Sequence, residues 1–165
     1  MHRLLPLALL IGIVLAGCAA PGEPKLSIES PTWERQYDDS TSFFIGIHAV
    51  DENIVWAAGS AGRVVRSIDG GASWKTMFVP GADSVQFRDV HAFGPDIAFT
   101  LSIGNGTDSR IYKTVDGGDN WALSFQNEDD NAFFDCFSFW DEERGFAFSD
   151  SYQGEFTLIQ TSDGG

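Results

Sequence analysis

An aspartate among glycines, beside a tryptophan, is the residue group of this sequence best suited to acid–base chemistry. It occurs in RSIDGGASW (66–74), returns in KTVDGGDNW (113–121) and begins again in QTSDGG (160–165). The three aspartates, Asp69, Asp116 and Asp163, are spaced by 47 residues. A general acid or base has to stand at one reacting centre, and it would not recur in every repeat. The recurrence therefore favours a structural role.

Each residue type in this box has a task in folding. The Ser or Thr hydroxyl and the Asp carboxylate can accept hydrogen bonds from backbone N–H groups of a turn. The two glycines adopt backbone angles that other residues take up only at a cost, and the tryptophan can start the next strand and cover the turn. We predict structural roles for the box residues Ser67, Asp69, Gly71, Trp74, Thr114, Asp116, Gly118, Trp121, Thr161, Asp163 and Gly165.

The remaining reactive residues give no catalytic pattern. The sequence contains no Gly-x-Ser-x-Gly, no His-Glu-x-x-His and no Cys-x-x-Cys motif. His48 and His91 occupy the same place in successive repeats, where Ser138 stands in the third, so repeat position explains them better than metal binding. Cys136 lies in a Phe-rich segment and is expected to be a small buried hydrophobic residue. We therefore predict no catalytic residue, no metal site and no cofactor.

The elements that position the box are short strands. The segments FFIGIHAV (43–50), FRDVHAFG (87–94) and FDCFSFWD (134–141) align upstream of the three boxes. Runs of Val, Ile, Phe and Trp between Gly, Asp, Asn and Pro predict strands near 43–50, 54–59, 62–67, 74–79, 87–93, 96–102, 110–114, 121–126, 134–140, 145–149 and 156–161. Four strands in each period of about 47 residues are typical of a β-propeller blade. The prediction is an all-β propeller of four-stranded blades.

The blades are expected to divide the chain at 43–86, 87–133 and 134–165, with the third incomplete. Trp33 precedes Phe44 much as Trp74 precedes Phe87, so we expect residues 33–42 to form the outer strand of a further blade and a link. The third box would reach its tryptophan at position 168. We expect a fragment of a propeller with about six to eight blades. The alternative is a small protein that closes by self-association.

The N-terminus reads as an export signal. MHRLLPLALLIGIVLAGC (1–18) has a basic start and an apolar run shorter than the roughly 20 residues that a membrane-spanning helix needs. LAGC (15–18) resembles the bacterial lipobox, which predicts lipid on Cys18 and a flexible tether over 19–32. We expect an exported protein anchored to a bacterial membrane by this lipid. The alternative is an ordinary secretory leader with an incidental cysteine.

The charge of the chain limits its partners. The formal net charge is −14, which argues against binding to nucleic acid or to anionic lipid, because both need basic patches. Several carboxylates fall in predicted loops opposite the boxes. They form a candidate binding face for a cation or a basic protein segment, or else they are solvated loop charges: Asp83, Asp108, Glu128, Asp129, Asp130, Asp150 and Glu155.

From Phe43 to Gly165 the boxes resemble the Asp-box, or BNR, repeat, which sialidases carry and which also occurs in the photosystem II stability and assembly factor family. VWAAGSAGRVVRSIDGGASWKT (55–76) is similar to the assembly-factor branch. That resemblance implies a non-enzymatic propeller whose face holds membrane-protein precursors. The photosynthetic members present an arginine-rich patch. This chain has seven arginines, so the resemblance does not extend to a photosystem partner.

Three functions are open from the sequence. The first is a lipid-anchored, non-enzymatic scaffold that binds envelope or membrane proteins. The second is a glycoside hydrolase of the sialidase type, although Arg35, Arg63 and Arg66 begin no Arg-Ile-Pro or Arg-Leu-Pro motif. The third is a propeller that binds a glycan without turnover. An enzyme is thus the less favoured expectation.

Overall fold

A computed structural model describes residues 30–165. The predicted leader, Cys18 and the predicted tether up to residue 29 lie outside the described residues. The chain has two units, Met1–Glu34 and Arg35–Gly165. Of the first unit only residues 30–34 are described, and they contain no strand. Within the described residues, no helix is long and apolar enough to cross a membrane.

The second unit consists of antiparallel sheets in which consecutive strands are neighbours. Blade 1 contains β1 (Phe44–Ala49), β2 (Val55–Gly59), β3 (Arg63–Ser67) and β4 (Lys75–Phe78). Blade 2 contains β5 (Gln86–Ala92), β6 (Ala98–Ile103), β7 (Arg110–Thr114) and β8 (Ala122–Gln126). Blade 3 contains β9 (Phe134–Phe139), β10 (Gly145–Ser149) and β11 (Leu158–Thr161). The predicted all-β fold with four-stranded blades is confirmed, and every strand predicted from residue 43 onward is present with ends within two residues.

The structure corrects the prediction for residues 33–42, where no strand is present. A strand at this place would need a preceding sheet with which to form backbone hydrogen bonds. The described residues contain no such sheet. Instead, side chains hold this segment against blade 1: the hydroxyl groups of Tyr37 and Thr76 are 3.1 Å apart, and Arg63 forms an ion pair with Asp39.

The hydrophobic core lies between neighbouring blades. Trp56 of blade 1 and Phe87 of blade 2 are completely buried in the first cluster, and Phe99 of blade 2 and Phe134 of blade 3 are buried in the second. The sheet of blade 2 is apolar on both faces because this blade packs against blade 1 and blade 3. The strands therefore contain long runs of buried residues, such as the first five residues of β6, and not a strict alternation.

The first strand of each blade contains a bulge at the same repeat position. The register with the second strand shifts between Phe44 and Gly46 in blade 1 and between Phe87 and Asp89 in blade 2. Blade 3 has the equivalent shift between Phe134 and Cys136 of its first strand, which pair with Ser149 and Phe148 of its second strand. A bulge adds one residue to a strand and turns its side chain out of the regular pattern.

Candidate functional site

The box turn joins the third and fourth strands of a blade. In the first box, the Ser67 hydroxyl accepts the Gly71 N–H at 2.8 Å and donates to the Asp69 carboxylate at 2.9 Å. That carboxylate accepts the backbone N–H and the hydroxyl of Ser73 at 2.8 and 2.6 Å. The Trp74 indole N–H donates to the Gly71 carbonyl at 3.1 Å. The hydrogen-bonding groups of this box thus close the turn on itself.

The second box repeats the hydroxyl and carboxylate hydrogen bonds but not the indole bond, since the buried Trp121 indole N–H has no hydrogen-bond partner among the described residues. Thr114 accepts the Gly118 N–H at 2.9 Å, and Asp116 accepts the Asn120 N–H at 2.9 Å and its side-chain amide at 2.8 Å. Hydrogen bonds from Ser73 lower the pKa of Asp69, and those from Asn120 lower the pKa of Asp116. A carboxyl with a lowered pKa stays ionised at neutral pH and is a poor general acid. This environment fits aspartates that stabilise a turn.

The third box has the same hydroxyl-to-glycine bond. The Thr161 hydroxyl accepts the Gly165 N–H at 2.8 Å and donates to Asp163 at 3.0 Å. Gly164 and Gly165 both have a left-handed backbone, with φ of 83° and 81°. These angles match those of the first two boxes and require glycine.

Cationic side chains connect each blade to the box of the next blade. Arg66 of blade 1 donates to the Pro95 carbonyl, and Lys75 forms a salt bridge with Asp119. Lys113 of blade 2 donates to the Gly164 carbonyl at 3.1 Å. These contacts of Arg66, Lys75 and Lys113 join neighbouring blades on the side of the box turns.

The first strands carry a row of titratable side chains that the sequence did not identify as a group. His48 Nδ1 accepts the Ala92 N–H at 3.2 Å, and the His48 and His91 rings are 4.3 Å apart. Burial lowers the pKa of His91 to about 4 and also lowers that of His48. In residues 30–165, no group of three His, Cys, Asp or Glu residues could hold a metal ion.

Asp89 connects the first strands of two blades. Its carboxylate accepts the Phe137 N–H of blade 3 at 3.1 Å, and burial raises its pKa. By repeat position Asp89 is equivalent to Gly46 and Cys136. Cys136 is half-buried, not buried as predicted, and it directly follows Asp135, the extra residue of the bulge. Burial raises the pKa of its thiol, which leaves little reactive thiolate at neutral pH.

The predicted binding face consists of loops that contact one another in chain order. Arg110 donates to the Gly81 carbonyl at 3.4 Å, which joins the loop at 80–86 to the loop at 104–109. The Phe134 N–H donates to the Ser109 hydroxyl at 3.1 Å. The Asp150 N–H donates to the Phe133 carbonyl at 2.8 Å. The loops of the three blades thus form one continuous surface.

Three of the seven predicted face residues come together at one cavity. Asp129, Asp150 and Glu155 line a cavity of about 250 Å³ between the loops at 126–132 and 150–155. The same cavity is lined by two aromatic residues that the sequence analysis did not include, Tyr152 and Phe156. Both aromatic side chains are exposed, at 50% and 66%. Both residues lie in or next to a turn with few hydrophobic neighbours, so the sequence did not indicate that they line a cavity together with the carboxylates.

The other four predicted residues lie outside this cavity. Asp83 and Glu128 are exposed. Asp108 approaches Arg110 of its own blade at 3.7 Å. The Asp130 side chain lies against Gly106 of the neighbouring loop. The structure therefore divides the predicted face into a carboxylate cavity and scattered loop charges.

Comparison with known proteins adds to this geometry. No protein-family model and no curated protein sequence matches the chain. Among solved structures, YCF48 from Cyanidioschyzon merolae superposes with a TM-score of 0.65 at 18% identity, over 82% of this chain and 41% of that one. The chain has the fold of YCF48, a β-propeller. The resemblance to photosystem II assembly factors is thus confirmed at the level of fold.

A second YCF48 structure is described as bound to a D1 peptide. It superposes with a TM-score of 0.61 at 16% identity, over 76% of this chain and 39% of that one. The chain therefore spans about two fifths of the length of these two YCF48 structures.

Proposed function

We propose that this chain is a lipid-anchored, non-enzymatic propeller that binds a segment of another bacterial envelope protein through its loop face. The observation that carries the proposal is the cavity where Asp129, Asp150 and Glu155 stand beside Tyr152 and Phe156. Carboxylates attract Lys and Arg side chains, and aromatic faces accept cations and apolar groups. The YCF48 structure with a bound peptide supports a peptide ligand for this fold.

The chemistry of the cavity favours a basic segment that also carries an aromatic or aliphatic side chain. The chain has a net charge of −14, which would steer such a segment toward the surface and repel acidic ones. A cavity of about 250 Å³ accommodates one or two side chains and not a folded domain. The expected ligand is therefore an extended or loop segment of the partner.

Peptide binding by the full chain tests this proposal. A fluorescent peptide of alternating Lys, Tyr and Arg residues should bind, and the same peptide with Glu in place of Lys and Arg should not. The double variant Asp150→Lys/Glu155→Lys should weaken binding by about tenfold or more, because it replaces two attractive charges at the cavity. The matched control is Glu142→Lys/Glu143→Lys, which changes two exposed charges in another turn.

Two outcomes would contradict the proposal. Equal losses in both variants would show that only the total charge matters. Binding on a glycan array, together with no peptide binding, would instead support the sugar-binding alternative. The triple reversal of Glu128, Asp129 and Asp130 extends the test to the rest of the loop, and unchanged recovery of partners in a pull-down would count against this face.

Membrane attachment through Cys18 is part of the same proposal and has a separate test. The sequence LAGC supports it, since acylation on sulfur and nitrogen gives stable attachment. The chain expressed in a bacterium should fractionate with membranes, and mass spectrometry should find acyl chains on Cys18. Cys18→Ser should release the protein from the membrane fraction. An unmodified Cys18 in the membrane fraction would overturn the lipid anchor.

A further inference from the structure

The loop between β6 and β7 contains an Asn-Gly pair, Asn105–Gly106, which occurs nowhere else in the chain. In such a pair the glycine nitrogen attacks the side-chain Cγ of the asparagine. The bond from the glycine nitrogen to Cγ forms, the bond from Cγ to the amide nitrogen breaks, and ammonia leaves with the proton of the glycine N–H. Water then opens the succinimide ring at either carbonyl and gives aspartate or isoaspartate. Glycine favours the attack because it has no Cβ to hinder it.

The structure leaves both reacting groups of this pair without hydrogen bonds. Asn105 is exposed and directly precedes a single 3-10 turn, Gly106–Asp108, which its side chain does not cap. Among residues 30–165, no acceptor is bonded to the Gly106 N–H. The amide carbon is therefore accessible, and the attacking nitrogen is not held by another group.

The backbone of this turn slows the reaction but does not prevent it. Asn105 is extended, with φ of −80° and ψ of 145°, so its Cα–C bond has to rotate before the glycine nitrogen reaches Cγ. The carbonyl of Asn105 is restrained by one long hydrogen bond, from the Asp108 N–H at 3.2 Å. We expect ring closure in the folded protein at a lower rate than in the unfolded chain.

The Asp-Gly pairs of the boxes are susceptible to the same ring closure, with water as the leaving group, but the fold protects them. In the first box the Gly70 N–H donates to the Asn53 carbonyl at 3.0 Å, and in the second the Gly117 N–H donates to the Asp96 carbonyl at 2.9 Å. The two box carboxylates are held by the hydrogen bonds already described. The attacking nitrogen and the attacked carbon are thus both restrained in the boxes and both free at Asn105.

The other described asparagines lack one of these conditions. The amide of Asn120 is bonded to the box carboxylate at 2.8 Å, and that of the buried Asn127 donates to two carbonyls at 2.8 Å. Asn53 and Asn131 each precede a residue with a Cβ, which hinders attack by its nitrogen. Within the described chain, an accessible amide carbon and an unhindered free nitrogen occur together only at Asn105.

We propose that Asn105 is a self-modification site, which deamidates without an enzyme and adds a carboxylate to the loop face. The new charge would stand in the turn that contains Asp108 and beside Asp130, whose side chain lies against Gly106. Isoaspartate also adds a methylene group to the main chain of this turn. That the added charge strengthens the binding of a basic segment rests on the proposed function, whereas the modification itself does not.

Peptide mapping of the full chain after prolonged incubation at mildly alkaline pH tests the site. Trypsin releases residues 89–110, in which Asn105 is the single amide side chain, and residues 114–144, which contain three other asparagines. The first peptide should gain about 1 Da and separate into two new chromatographic peaks, for aspartate and isoaspartate. The second peptide should keep its mass. The variant Asn105→Gln should show no gain, because glutamine has to form a larger ring.

The same incubation in urea tests whether the fold selects the site. In the unfolded chain, Asp69 and Asp116 should also form isoaspartate, and Asn105 should react faster. A peptide 89–110 that keeps its mass in the folded protein would overturn the proposal, and so would box aspartates that isomerise as fast as Asn105 deamidates. Asn105-Gly106-Thr107 also matches the acceptor triplet for N-linked glycans. A sugar on this peptide would block ring closure and would likewise overturn the proposal.

Peptide binding tests the consequence for the loop face separately. The variant Asn105→Asp should bind the fluorescent Lys/Tyr/Arg peptide about twofold more tightly than the unmodified chain, since one exposed charge contributes little. Asn105→Gln, which adds no charge, should leave binding unchanged. Weaker binding by Asn105→Asp, or equal effects of both variants, would overturn the effect on binding. If no form of the chain binds the peptide, the proposed function fails together with this effect, while the peptide map still decides whether Asn105 is modified.

Discussion

The replacement Thr114→Val tests whether the box residues stabilise the turn between the third and fourth strands of a blade. Thr114 is 1% exposed, and its hydroxyl accepts the Gly118 N–H at 2.9 Å and donates to Asp116 at 2.9 Å. Valine keeps the shape but leaves the buried Gly118 N–H without its acceptor, which costs about 1–3 kcal/mol. Because 1 kcal/mol moves the melting temperature of a chain of this size by about 3 °C, we expect a decrease of about 3–9 °C. Differential scanning calorimetry at one fixed protein concentration measures it.

The control for this prediction is Thr107→Val. Thr107 is exposed, and a surface substitution of this kind changes stability by no more than about 0.5 kcal/mol. If both variants melt at the same temperature, the hydroxyl does not hold the turn. If Thr114→Val keeps its melting temperature but no longer binds the basic peptide, the box takes part in binding and the structural interpretation is refuted.

Three further predictions concern pH, salt and backbone strain. The pKa of His91 is about 4, below the ordinary 6.5, so the stability that neutral His91 contributes is complete above pH 6.5 and is lost as pH falls toward 4. The melting temperature should therefore decrease over this pH range, and His91→Phe should make that decrease smaller. If the decrease is the same in the variant, groups other than His91 cause it. The chain is acidic and its proposed peptide ligand is basic, so raising the salt concentration should weaken binding of the Lys/Tyr/Arg peptide, and binding that does not change with salt would contradict recognition by charge. Gly118 has φ of 82° and lies under Met77, so Gly118→Ala should cost more than about 1 kcal/mol in urea unfolding, with the exposed Ala72→Ser as a neutral control.

The strands of blades 1 to 3 could be predicted closely because the turns between them are marked by residue type. Glycine, aspartate and asparagine end one strand before the next begins, and three repeats align the same marks. The segment 33–42 could not be predicted in this way, since the tryptophan spacing gives the place of a strand but not the partner that pairs with it. Backbone pairing depends on a neighbour that sequence spacing does not supply.

The candidate site was predictable only in part. The sequence showed which loops carry carboxylates, but it did not show which of these carboxylates lie at one cavity. That depends on how neighbouring blades are placed: Asp129 and Asp150 line the same cavity, and Asp83 does not. Asp89 was missed because a single aspartate in an apolar strand gives no local signal. Only alignment of the bulge positions with Gly46 and Cys136 could have indicated that a polar side chain stands there between two blades.

The chain has few Arg and Lys residues, and the contacts that they make leave its surface acidic. Every Arg and Lys in residues 30–165 has a carboxylate or carbonyl partner, at a seam between blades or in a surface turn: Arg35, Arg63, Arg66, Lys75, Arg88, Arg110, Lys113 and Arg144. The positive side chains thus form contacts within the protein, while most carboxylates are exposed to water. In solution, mobile cations should therefore gather around the acidic surface, and any basic partner has to displace them when it binds.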